Sequence, residues 1–126
     1  MVGYGKVVDL GFDEAVERVK ERLAEEGFSV VCEIDVGKTI REKIGKEIGR
    51  YVILGACNPH HSFNVLSANR EFGLLMPCNV VVYSLDDGVH ISAITPLALA
   101  QQFGDERITE TAGEVEESLK RVIDSI

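Results

Sequence analysis

Five consecutive residues, Cys57-Asn58-Pro59-His60-His61, gather the side chains in this chain best suited to chemistry. The residues before them, Tyr51-Val52-Ile53-Leu54-Gly55-Ala56, are almost all apolar and read as a strand buried on both faces. Asn-Pro is a strong helix opening, with Asn as the cap and Pro as the first helical residue. The pattern therefore predicts a thiol at the end of a strand and two histidines in the first turn of the next helix. Unpaired N–H groups and the helix dipole favour negative charge there, either a thiolate or a small bound anion. On this reading Cys57, Asn58, His60 and His61 bind a small anion or metabolite, the N–H groups after Asn58 are its donors, and no cofactor is needed. A rival reading uses Cys57 as a reactive thiolate in an enzyme or redox protein. In its metal form Cys57, His60, His61 and Cys78 hold zinc, which suits mixed thiolate and imidazole ligands. A third reading is purely structural, since cysteine is often a small core residue and Asn-Pro needs no role beyond starting a helix.

Other groups offer less. Lys38 and Arg41 stand three apart on a short helix and share a face, which suits a carboxylate or phosphate. They are also outlying candidates for the anion site, although Glu42 and Glu47 offset the charge nearby. Glu33 and Asp35 alternate onto one strand face, but Asp35 is expected to cap the next helix. His90 reads as a surface or dimer-contact residue. No phosphate loop follows Gly3-Tyr4-Gly5, and no Gly-x-Ser-x-Gly occurs.

The elements that must position these residues can be traced by period. Lys6–Leu10 is a short β-prone stretch. A helix over about Asp13–Glu26 buries Val16, Val19 and Leu23, opened at Gly11 with Glu14 three residues on and closed by Gly27. Phe28, Val30, Cys32 and Ile34 alternate onto one strand face, which places Cys32 in the core. Asp35 caps a short helix with Ile40, Ile44 and Ile48 on one buried stripe, weakened at Gly45. The helix after Pro59 runs to about Asn69 and buries Phe63 and Leu66. Asn79–Tyr83 and Val89–Ile94 flank Asp87-Gly88, a hairpin signal. After a short helix at Thr95-Pro96, a last helix opens at Thr111 with Glu114 three residues later and buries Val115, Leu119, Val122, Ile123 and Ile126. The order β-α-β-(α)-β-(α)-β-β-(α)-α predicts one α+β domain over residues 1–126. It has a mainly antiparallel sheet with two long amphipathic helices on one face.

Composition narrows the classes of function. The 126 residues carry 13 Lys+Arg and 21 Asp+Glu, for a net charge of −8. Residues 64–126 hold 4 basic and 10 acidic residues, so −6 of that charge lies in the second half. Such a balance argues against nucleic acid and against an anionic membrane surface. No apolar run approaches the length of a membrane span, and Met1–Lys6 has no leader pattern. Three cysteines, an odd number, fit reduced thiols in a cytoplasmic protein.

Several stretches resemble the family catalogued as domain of unknown function 302. They are Glu33-Ile34-Asp35-Val36, Ile53-Leu54-Gly55-Ala56-Cys57-Asn58-Pro59 and Gly73-Leu74-Leu75-Met76-Pro77-Cys78-Asn79-Val80-Val81-Val82-Tyr83, with Phe12-Asp13-Glu14-Ala15 and Ser92-Ala93-Ile94-Thr95-Pro96. The resemblance spans most of residues 6–123. It implies a small α+β domain of the TATA-binding-protein-like type, usually homodimeric, with no established activity. His60-His61 departs from the less polar residues of the family pattern, so a site needing both would be peculiar to this branch. A homodimer also has a physical motive, because an open sheet exposes edges and the 79–83 strand is apolar.

Overall fold

A computed structural model of the chain describes residues 2–126; Met1, the start of the segment read for a leader, lies outside them. The elements are β1 (Gly3–Val8), α1 (Phe12–Glu25), β2 (Ser29–Asp35), α2 (Val36–Ile44), β3 (Tyr51–Cys57), α3 (Pro59–Ala68), a 3-10 turn (Arg70–Leu75), β4 (Cys78–Leu85), β5 (Gly88–Ile94), α4 (Leu97–Ala100), a second 3-10 turn (Gln101–Phe103) and α5 (Glu106–Asp124). Five strands form one sheet in the order β1-β5-β4-β3-β2, and every neighbouring pair is antiparallel. The order of elements and the α+β class are those the periodicity predicts.

Alternation along β3, β4 and β5 sends Val52, Leu54, Ala56, Val80, Val82, Val89, Ile91 and Ala93 to one face. There they meet Ala15, Val16, Val19 and Leu23 of α1 and Val115, Leu119, Val122 and Ile123 of α5. Both long helices therefore cover the same face, and α1 carries the chain from one sheet edge to the other. A second cluster, Val65, Phe72, Ala100, Ile108 and Ala112, joins α3, the 70–75 turn and α4 to the first half of α5.

Among the described residues no helix covers the opposite sheet face, and this corrects several expectations. β3 is buried on one face only; Tyr51 and Ile53 are half-exposed. Cys32 is exposed rather than core. The register of β2 against β3 slips between Val30 and Cys32, so the extra residue Val31 turns Cys32 and Ile34 onto the uncovered face. Ile44 and Ile48 are exposed, because α2 stops at Gly45, in the left-handed conformation at φ 67°, and packs on β3 without a second layer to cover its far side. Phe63 is 72% exposed while Val65 takes the buried position on α3. The last helix opens at Asp105, whose carboxylate accepts the Arg107 N–H at 2.8 Å. Thr111 is buried inside that helix, not its cap. The stripe Ile108-Ala112-Val115-Leu119 begins about one turn before the Thr111–Glu114 pair that mimics a capping box.

Leu54→Ala should therefore cost about 2–5 kcal/mol, while Phe63→Ala should stay within about 0.5 kcal/mol. Urea titration of both variants checks this. Equal losses would mean that Phe63 is core after all.

Candidate functional site

The strand-to-helix turn forms as the residue types dictate. β3 delivers Cys57 to its end, Asn58 caps α3, and Pro59 is the first helical residue. The cap consumes the donors that an anion would need. Asn58 Oδ1 accepts the N–H groups of both His60 (3.0 Å) and His61 (3.4 Å). The Ser62 N–H reaches the Asn58 carbonyl at 2.9 Å. Pro59 has no N–H. The first turn of α3 thus has no free backbone donor to offer.

The sulfur atoms are placed differently from the histidines. Cys57 is half-buried, and its Sγ lies 3.0 Å from Ser62 Oγ. Cys78 opens β4 opposite Ala56, one residue from Cys57 in the β3 ladder. Burial pushes its thiol up to about 11, and the nearby Cys57 adds to the shift. Cys32 stands apart on the uncovered face against Gly55, where an added Cβ would lie 2.5 Å from its Sγ. Among the described residues no three His, Cys, Asp or Glu side chains are grouped to hold a metal, so Cys57, Cys78, His60 and His61 do not form a ready zinc set.

His60 points to solvent, whereas His61 turns under α3 toward α5. Its Nδ1 is buried without a hydrogen-bond partner, 3.9 Å from Glu114 Oε2. That distance is too long for a hydrogen bond. The His61 residue borders a groove of about 630 Å³ lined also by Leu97, Glu110, Glu114, Glu117, Ser118 and Arg121. A neighbouring hollow of about 350 Å³ shares Glu110 and Glu114 and adds Phe63 and Arg107. Glu116 faces the groove but is engaged, accepting the Leu97 N–H at 3.1 Å. Arg121 is likewise turned to Glu26 at 2.9 Å. The groove is therefore rimmed by Glu110, Glu114 and Glu117, three carboxylates without a lysine or arginine ion-pair partner among the described residues.

Lys38 and Arg41 lie elsewhere. Asp35 pairs with Val52, at the opposite end of β3 from Cys57, roughly 17 Å away along the strand. As the sequence indicates, Asp35 caps α2, accepting the Lys38 N–H at 3.0 Å. Lys38 reaches Glu42 at 4.0 Å and Arg41 reaches Glu47 at 3.9 Å. Glu33 binds Lys20 at 2.7 Å, so it does not work with Asp35.

His90 belongs to a row that sequence reading misses. Tyr51, Tyr83 and His90 stack across β3, β4 and β5, with ring centres 5.3 and 5.0 Å apart. Asp87 meets His90 Nε2 at 2.6 Å, and this hydrogen bond holds the Asp87 carboxyl below its usual range. The α5 carboxylates are the other omission. Glu110, Glu114 and Glu117 share a helix face by spacing, but only the packing of α3 on α5 shows that His61 faces them.

Two outcomes follow. Removing the cap in Asn58→Ala should cost about 1 kcal/mol of stability in denaturant titration. Because the Cys78 thiol is raised in the folded state, the unfolded chain releases that proton first as pH climbs. Stability should thus be intact below about 9 and fall by up to about 2–3 kcal/mol toward pH 11, with Cys78→Ala flattening the profile. A profile identical in Cys78→Ala would contradict the burial of this thiol.

Comparison with known proteins agrees with the architecture. No curated protein matches the chain. A solved structure described as an uncharacterized conserved protein DUF302 from Bacillus stearothermophilus is similar to it, with 32% identity and a TM-score of 0.91. The similarity covers 98% of this chain and 97% of that one. The family model named Domain of unknown function DUF302 matches residues 4–126. With sequence match, strand order and helix placement in agreement over nearly the whole length, the chain belongs to the DUF302 family.

Proposed function

We propose that this chain is a small cytoplasmic binding domain that takes an amine-bearing or otherwise cationic small molecule in the groove between α3 and α5, and that it works as a homodimer. The observation that carries the ligand reading is the unpartnered Nδ1 of His61 facing Glu114. A neutral imidazole nitrogen and a carboxylate oxygen are both acceptors. Set 3.9 Å apart, they suit a donor nitrogen between them, bonded to each. Glu110 and Glu117 add negative charge around that point, and the exposed Phe63 ring beside Glu110 offers a face to a cation. Glu114 is mostly exposed, so its carboxylate is reached directly from solvent.

The anion expected at the Asn58 turn loses its support, because the capping side chain takes the N–H groups that would bind it. The same carboxylates disfavour phosphate-bearing partners such as nucleic acid. Among the described residues no helix is long and apolar enough to cross a membrane. Binding fits better than catalysis, since Cys57 is hydrogen-bonded to Ser62 and not to a histidine base. The free state of all three cysteines supports a reducing compartment. The sheet's unpaired edge strands support a second copy.

Nuclear magnetic resonance titration of the His61 ring tests the ligand reading, with 1,4-diaminobutane against inorganic phosphate at equal ionic strength. The diamine should give saturable shifts, weakened about tenfold or more in Glu114→Gln. Saturation by phosphate, or by neither compound, would overturn the proposal.

A further inference from the structure

The two edges of the sheet are not equivalent. β2 is guarded: the slip at Val31 breaks its register, Glu33 and Asp35 put charge on it, and α2 continues from its end. β1 has none of these devices. Its pairing to β5 runs without interruption from Gly3↔Ile94 to Val8↔Val89, and it contains no proline. Its one charged residue, Lys6, turns back to the Ile126 carbonyl on the helix side. Gly3 and Gly5 are needed inside the fold, because a Cβ on either would strike Ser92. As a by-product, β1 carries no side chain at Gly3 and Gly5.

The backbone of that rim has a definite polarity. The Thr95 N–H donates to the Val2 carbonyl at 2.9 Å, which makes Val2 and Thr95 a hydrogen-bonded pair. Antiparallel pairs alternate, so Val2, Tyr4, Lys6 and Val8 direct their backbone groups inward to β5, and Gly3, Gly5 and Val7 direct theirs outward. No strand pairs with that outer side among the described residues. From this we infer that the edge of β1 is the dimer interface, where it pairs antiparallel with β1 of a second copy and joins the two sheets into one of ten strands.

The sequence of the strand is complementary to itself in one register. Centring the twofold axis on Gly5 sets Gly3 opposite Val7 of the second copy, Gly5 opposite Gly5, and Val7 opposite Gly3. All three are outward-facing pairs, and each exchanges two hydrogen bonds. The bulky valine meets a glycine at both ends. On the other face Val2, 74% exposed in the single chain, meets Val8. Charge points to the same place. The chain carries −8 overall, but residues 2–8 contain no acid, so the two strands bring no carboxylates of their own against each other. The stacked row on the uncovered sheet face needs no such partner, because its rings already shield one another and antiparallel sheets commonly leave one face in water.

This inference rests on the homodimer proposed above, and the experiment separates the two. Light scattering gives the mass of the wild type and of Val7→Lys, and amide exchange reads Gly3, Gly5 and Val7 in the wild type. The wild type should weigh twice 13.8 kDa, and these three amides should exchange about 10-fold or more slowly than in the monomeric Val7→Lys chain. A wild-type monomer overturns the dimer and this interface together. A dimer whose three outward amides exchange freely keeps the dimer and overturns the β1 edge. If Val7→Lys fails to fold, dilution of the wild type through dissociation supplies the monomer reference.

Discussion

Val52, Leu54, Val80, Val82 and Ile91 meet Val19, Leu23, Leu119 and Ile123 across one face of the sheet, and that contact governs where every other group can go. The uninterrupted period of two in β3, β4 and β5 admits only one buried face once both long helices lie on it. α1 must cross the sheet to reach β2, which leaves β1 and β2 at the edges. α3 cannot reach the sheet core and packs on α5 instead, through Val65, Ile108 and Ala112. The groove holding His61 is a consequence of that second packing layer.

Within the turn after β3, a single amide side chain divides the chemistry. Asn58 takes two N–H groups of α3 and so stabilises the helix start by closing it to ligands. Cys57 and Ser62 are tied together beside it, and Cys78 is partly buried against the core. His61 is carried round by the helix to the α5 side. Thiols and imidazole, adjacent in sequence, therefore belong to different surroundings, and the acidic half of the chain supplies the groove on the histidine side.

Much of this was legible without coordinates. Caps at Asp35 and Asn58, the hairpin signalled by Asp87-Gly88 (its turn falls one residue earlier, at Asp86-Asp87) and the stripes of α1 and α5 depend on local chemistry, which sequence displays directly. The failures are non-local. Cys32 alternates correctly with Phe28 until a one-residue slip, which no residue type announces, turns it outward. Phe63, Ile44 and Ile48 are apolar at helical spacing, yet α2 and α3 have too little neighbouring surface to bury them. Thr111 and Glu114 imitate a cap inside a helix already begun at Asp105, so local chemistry alone places the start of α5 too late. Glu114 could not be linked to His61 from sequence, since 53 positions separate them and only α3 packing on α5 brings them together.

The weight of the functional account falls on the state of one nitrogen. Nitrogen-15 spectroscopy of the His61 ring in the unliganded protein near neutral pH reads that state directly. A donor-binding groove requires a bare Nδ1 with the ring proton on Nε2. A protonated Nδ1 hydrogen-bonded to Glu114 would mean that the pair is already satisfied within the fold, and the groove would have no acceptor to give a ligand.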